Sequence, residues 1–243
     1  MRRRLVKLSR VLRDKDRFLA TVWCVWNGMA FESWARALDP ILWNETLDVA
    51  RRIHRDAALI IPGLPITGGR QGAIGGGGCD VRKLYFLARL VKAKVIVETG
   101  VSAGYSSRAF LEAIQANGCG RLYSSDLPLF LTREQVGCMV PAPMREHWEL
   151  LYEGDSINLP RILSAVRSID LLHYDSDKSV RAKEDVFAMI RPKMARDGVI
   201  VIDDIDRDPF FRRVAARWGG RALVFRNVGV VGLAERRGSG MNA

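Results

Sequence analysis

Cysteine is scarce and scattered: Cys24, Cys79, Cys119 and Cys138 are the only four in 243 residues, and none forms a C-x-x-C pair. That spacing excludes a disulfide scaffold and a zinc ribbon, and dispersed reduced thiols fit a cytoplasmic protein. Long apolar runs are also lacking. Phe18–Phe31 is apolar for about fourteen residues, where a spanning helix needs about twenty. A signal peptide is disfavoured by Asp14 and Asp16, by the interior Trp23 and Trp26, and by the lack of a small-x-small cleavage site. The low-hydrophobicity signature of disorder is missing too: 48% of residues are hydrophobic and 27% charged. A chain of this length supports one complete core, buried to roughly 70–75% of its unfolded surface, with room for a small appendage.

Acidic residues are outnumbered, 27 against 38 basic, for a net charge of +11. More than half of that excess is local. Residues 1–17 hold eight Lys or Arg against two Asp, a net of +6. Such an arm can solvate itself or hold the protein near phosphates, either nucleic acid or anionic lipid. It leads into Phe18–Phe31, read as an amphipathic or core-docking helix.

The pattern then alternates between helices and strands. Residues 32–60 read as helical, with Pro40 breaking them in two. The glycine-rich stretch 61–78 is either a linker or a loop that closely approaches a ligand. Asp80 can cap a helix over 81–91, and Lys94–Glu98 is the β-branched run of a buried parallel strand. Helix 105–117 ends at Asn117-Gly118. Strands follow at 122–125, 149–152, 169–174 and 199–202, with helices at 162–166, 180–190 and 210–218. Runs 222–225 and 228–234, separated only by Arg226-Asn227, predict an antiparallel hairpin. The whole predicts an α/β fold with a mostly parallel sheet covered on both faces.

The chemistry gathers at strand ends. Glu98-Thr-Gly-Val-Ser-Ala-Gly-Tyr-Ser-Ser107 closes a strand and opens a helix. Gly100 and Gly104 permit a tight turn, and the N–H groups near Ser106 are donors for a polar ligand. The spacing is G-x-x-x-G rather than the G-x-G-x-x-G of dinucleotide binders, which disfavours a nicotinamide dehydrogenase. Asp126, 28 residues after Glu98, ends the next strand where a carboxylate can accept ribose hydroxyls, and Gly154-Asp155-Ser156 follows the third.

These residues resemble those of class I S-adenosylmethionine-dependent methyltransferases, nearest the small O-methyltransferases of the catechol and caffeoyl-CoA type. The resemblance covers roughly residues 70–235. It implies a Rossmann-like, doubly wound seven-stranded sheet ending in the hairpin. S-adenosylmethionine would lie against Glu98, Gly100, Ser102, Gly104 and Ser106, with Asp126 on the ribose and Asp155-Ser156 at the adenine. Residues 66–243 would be the methyltransferase domain and residues 1–65 a basic helical extension.

A second cluster is acidic. Asp175 closes the fourth strand and Asp203-Asp204 the fifth. Adjacent parallel strands lie about 4.8 Å apart, so Asp175 and Asp203 can stand side by side. Asp204 shares the site only if the strand has already ended. Three carboxylates together need a cation, a lysine or shared protons. Oxygen ligands suit Mg²⁺ or a similar divalent ion. The resembling enzymes carry D-x-x-K on the fourth strand and Asp-Asn after the fifth, with those two Asp and the Asn as metal ligands. Asp175 and Lys178 match the first motif, Asp203 matches the second Asp, and Asp204 replaces the Asn. The resemblance thus implies metal ligation by Asp175, Asp203 and Asp204; separately, Lys178, if burial destabilises its ammonium, could take the acceptor proton, making Lys178 and Asp175 the candidate catalytic residues. Lys178 is equally readable as an ion-pair partner of Asp175 or Asp177. His173, on the face of Asp175, reads as a hydrogen-bonded structural histidine, and Trp23, Trp26 and Trp34 read as core.

The sequence therefore predicts a methyltransferase acting on a hydroxyl of a small molecule such as a phenol, a sugar or a natural-product intermediate. Two alternatives remain. One is an RNA ribose methyltransferase using the basic flanks, although the N/D-P-P-Y/F tetrad of amino-directed enzymes is replaced by Tyr174-Asp-Ser-Asp177. The other is a non-catalytic protein that docks on membrane or polymer. Residues 1–65 could cap the acceptor pocket, form a homodimer or lie on a membrane, and residues 1–31 could contact anionic lipid or RNA.

Overall fold

The computed structural model describes residues 15–64, 80–129, 131–206, 209–218 and 221–233. Most of the glycine-rich stretch, the basic residues before Asp14 and the boundary at residue 65 lie outside them. Three helices come first: α1 (Lys15–Asn27), α2 (Phe31–Leu38) and α3 (Pro40–Ile60). Next are α4 (Val81–Leu90), β1 (Val95–Thr99), α5 (Tyr105–Asn117), β2 (Arg121–Ser125) and β3 (Trp148–Leu151). The chain continues with α6 (Asp155–Ala165), β4 (Ile169–Tyr174), α7 (Val180–Ile190), β5 (Met194–Ile202), α8 (Pro209–Arg217), β6 (Arg221–Phe225) and β7 (Val228–Leu233).

Seven strands make one sheet in the order β3-β2-β1-β4-β5-β7-β6. β1 to β5 run parallel, and β7 is antiparallel to both β5 and β6. The expected doubly wound sheet with its terminal hairpin is therefore present. The chain winds outward from β1 to β3, then returns to place β4 on the other side of β1. Loops leaving β1 and β4 diverge there, and this is where open α/β sheets bind ligands.

Local chemistry explains most element ends. Asp39 closes α2 and opens α3: its backbone N–H donates to Ala35 O, its carboxylate accepts from Leu42 N–H, and Pro40 takes the first helical position. Asp80 caps α4 as expected, accepting from Arg82 N–H at 3.0 Å. The run Phe18–Phe31 does not form one helix. It breaks after Asn27, where Gly28 bridges to Val224 and Met29 N–H donates to Val224 O. Two other elements begin earlier than expected. α6 starts at Asp155 with Pro160 inside it, and β5 starts at Met194, with a register shift against β4.

Each face of the sheet carries a core. One joins β-strand residues Ile96, Leu171 and Val201 to α2, α3, α4 and α5 through Ala35, Trp43, Ile53, Phe86 and Phe110. The other packs Val97, Leu172 and Ile200 against α6, α7 and α8, and takes in Cys24 from α1. The helices before residue 65 thus share their packing with the sheet.

Candidate functional site

The turn after β1 is built by close approach of two loops. Gly100 has φ +82°, and a Cβ there would stand 2.6 Å from the carbonyl oxygen of Asp175. Gly104 has φ +92°, and its Cβ would stand 2.8 Å from Gly137 Cα. Both positions require glycine. Ser102 also has a positive φ, +52°, and is exposed on the turn. Ser106 is half-buried in the first turn of α5.

Asp126 holds this turn in place. Its Oδ2 accepts from Val101 N–H at 2.6 Å and from Ser102 N–H at 2.8 Å. Burial pushes its carboxyl above the ordinary range, against the two backbone bonds that favour the charged form. Asp155 is likewise engaged. Its Oδ1 accepts from Ser125 Oγ at 2.6 Å and its Oδ2 from Ser176 Oγ at 2.5 Å, so it ties the ends of β2 and β4 together across β1. Ser156 is exposed one position further on. The buried Asn158 was not singled out by the sequence. Its amide donates to Ser125 Oγ, Asp126 O and Leu151 O, while its Oδ1 accepts from Glu153 N–H.

Glu98 lies beneath the turn rather than on it. Fully buried, it accepts from Ser107 Oγ at 2.6 Å and Ser124 Oγ at 2.8 Å through Oε2. Its Oε1 has no hydrogen-bond partner and stands 3.7 Å from His173 Nδ1. His173 shares the expected face but lacks the expected hydrogen bond: neither ring nitrogen has a partner, and its ring meets Phe110 edge-on.

Across the switch point, the three acidic residues do converge. β5 ends at Ile202, and Asp204 takes φ +54°, which returns its side chain to the cluster. Asp203 Oδ1 accepts from Asp204 N–H and from Asn227 Nδ2, both at 2.9 Å. Asn227 lies in the β6–β7 turn; the predicted hairpin located this turn, yet nothing local in the sequence aims it at Asp203. Burial, then the neighbouring Asp175, push the Asp203 carboxyl up to about 6, and its Oδ2 is buried without a partner.

Lys178 answers the excess of charge. Its ammonium donates to Asp175 Oδ1 and pairs with Asp204 Oδ2 at 3.2 Å. Burial works to lower its pKa, but the two carboxylates outweigh it and raise it. The ammonium is therefore held charged. Among the described residues no group of three His, Cys, Asp or Glu side chains is arranged to hold a metal ion. With Lys178 between Asp175 and Asp204, the donors as arranged do not fit a divalent cation. The glycine turn, by contrast, is packed against the backbone of Asp175 and Gly137, and leaves Ser102 exposed at its tip.

Comparison with known proteins follows this geometry. A family model described as a methyltransferase domain matches residues 97–205, from within β1 to the loop after β5. A methyltransferase from Geobacter sulfurreducens has a similar fold, with 22% identity, 76% of this chain and 86% of that chain covered, and a TM-score of 0.50. CalS11, a TDP-rhamnose 3'-O-methyltransferase of calicheamicin biosynthesis, aligns at 14% identity over 74% of this chain and 93% of its own, with a TM-score of 0.51. A Staphylococcus aureus structure, described provisionally as a caffeoyl-CoA O-methyltransferase, aligns at 16% identity and a TM-score of 0.44 over 56% of this chain and 62% of its own length. Comparison with curated protein sequences finds no match. Residues 97–205 carry the signature of a methyltransferase domain, and the sheet that holds them has the Rossmann-like fold of the class I S-adenosylmethionine-dependent methyltransferases, which this chain resembles.

Proposed function

We propose that the chain transfers a methyl group from S-adenosylmethionine to a hydroxyl of a small molecule. The observation that carries this reading is the turn 99–104, pinned by Asp126 at the switch point with the charged cluster of Asp175, Lys178, Asp203 and Asp204 opposite. S-adenosylmethionine supplies an activated methyl group on a sulfonium, so the protein's part is chiefly positioning. Gly100, Ser102, Gly104 and Ser106 would lie along the methionine and ribose. With Oδ2 of Asp126 bonded to the turn, its Oδ1 would meet the ribose diol. Asp155 would act through its two serine bonds, fixing the β2 and β4 ends around the adenine beside Ser156. Glu98 would support the turn from below.

On the acceptor side, Lys178 would donate a hydrogen bond that orients the hydroxyl. Asp175, its partner, would take the hydroxyl proton. A divalent cation would be held by Asp175, Asp203 and Asp204 only after displacing Lys178 from two of them, and no step is derived through it. Adding Mg²⁺ to chelator-treated protein decides that point: a faster methyl transfer assigns the cation, and an unchanged rate leaves the ammonium as the resident charge.

Calorimetric titration of S-adenosylhomocysteine into the full chain tests the cofactor site. We expect micromolar binding that weakens at least about tenfold in Asp126→Asn, which keeps an acceptor oxygen for Val101 and Ser102 but loses the charge. No binding by folded protein would overturn the proposal.

A further inference from the structure

The helix α1 has two different faces. Its inner face is fixed to the acceptor side of the sheet. Thr21 Oγ1 donates to Asp206 O at 2.8 Å, the Cys24 thiol donates to Ile205 O at 3.5 Å, and Trp23 meets Phe211 edge-on. Ala20 and Cys24 are buried there. The outer face is apolar and only partly covered by described residues, and Trp26, read from the sequence as core, stands on it. Phe18, Leu19, Val22, Val25 and Trp26 are all exposed, Val25 at 78% and Trp26 at 87%. At 100° per residue these five fall within about 120° of the helix circumference, a single stripe.

Charge identifies what such a stripe meets. Lys15 and Arg17 are exposed on the first turn of α1, and the preceding residues add Arg2, Arg3, Arg4, Lys7, Arg10 and Arg13. An apolar stripe with Trp and Phe, on a helix that begins with Lys15 and follows a strongly basic stretch of sequence, suits the interfacial zone of an anionic bilayer. A second copy of the chain fits less well. Five side chains on a thirteen-residue helix fall well short of the about 800 Å² per partner of a stable interface. A single-stranded nucleic acid would want stacking rings in a basic groove, and three of the five side chains are aliphatic. No helix among the described residues is long and apolar enough to cross a membrane, so the contact is peripheral.

We propose that the outer face of α1, with the basic residues that precede it, docks the protein on the surface of an anionic bilayer. Docking in this way sets the loop that holds Asp203 and Asp204 within about one helix diameter, 10–12 Å, of the lipid.

Flotation of the full chain with vesicles tests the proposal. We expect it to float with phosphatidylcholine containing about 30 mol% phosphatidylglycerol, to bind phosphatidylcholine alone at least about tenfold more weakly, and to be released by about 0.5 M NaCl. The double variant Val25→Ser with Trp26→Ser removes only exposed side chains, so circular dichroism should be unchanged while flotation falls about tenfold. Arg2→Glu, Arg3→Glu and Arg4→Glu together should reduce it similarly. Three results would overturn the idea: no flotation of folded protein, flotation indifferent to both variants, or a stripe that governs dimerisation or RNA retention instead.

Discussion

At the scale of single residues, Asp203 is the most informative group. Its carboxyl holds a proton more tightly in the folded chain, at about 6, than an ordinary aspartate does at 3.8. The sign follows directly. The folded state binds more protons than the unfolded chain between those values, so this contribution to stability is full below about pH 4 and is lost as pH rises through 6. Asp203→Asn cannot titrate and keeps an oxygen for Asp204 N–H and Asn227. It should stabilise the protein at pH 8 by about 1–3 kcal/mol and by much less near pH 4. Urea denaturation at the two pH values measures this, and a variant effect that does not grow with pH would refute it. The same scale marks what the sequence could tell. Gly100, Gly104 and Asp126 were legible because a strand end, a tight turn and a carboxylate announce themselves locally. The bonds of Asp155 to Ser125 and Ser176 were not, since the partners lie 30 and 21 positions away. Position alone marked Asp155 as a ligand candidate, and the structure adds that both its oxygens meet protein hydroxyls.

At the scale of elements, one residue serves two helices. Asp39 ends α2 and caps α3, and Pro40 marks the boundary in the sequence because it cannot continue a helix from the preceding turn. Asp39→Ala loses the bond to Leu42 N–H and should cost about 1 kcal/mol. In a protein of this size that lowers the melting temperature by about 2–4 °C in a thermal scan. An unchanged melting temperature would mean that packing alone sets the angle between α2 and α3. Elements with a local stop signal were read well: the end of α5 at Gly118, the start of α4 at Asp80, and the two-residue hairpin turn. Those governed by distant contacts were not. α6 begins at Asp155 because Gly154, at φ +80°, turns the chain beneath Leu127; its first turn, Asp-Ser-Ile-Asn, is mostly polar and Pro160 follows, so apolar periodicity does not reveal it.

At the scale of the whole molecule, the N-terminal helices do more than append to the sheet. Phe31 meets Trp43, Phe86 and Phe225 edge-on and Trp34 at a tilt, joining α2 and α3 to α4 and to β6. A chain starting at residue 66 would uncover Phe86 and Phe225, together with the part of the core that Trp43 and Ile53 fill. Each such large buried side chain typically contributes about 2–5 kcal/mol, against a total stability of about 5–15. We therefore expect the fragment 66–243 to melt without a cooperative transition and to bind a hydrophobic dye. A sharp melt from that fragment would show instead that the sheet stands alone. A chain starting at residue 15 leaves every described contact in place and should melt as the full chain does.

The switch point also divides the site by ancestry along the chain. One wall, from Glu98 to Ser176, comes from the middle of the sequence. The opposite wall is the loop 203–206, which is held from outside: α1 bonds its Ile205 and Asp206 carbonyls, and Asn227 of the β6–β7 turn bonds Asp203. Changing α1 or the β6–β7 turn would therefore shift Asp203 and Asp204 from behind while the turn 99–104 and its bonds to Asp126 are left intact.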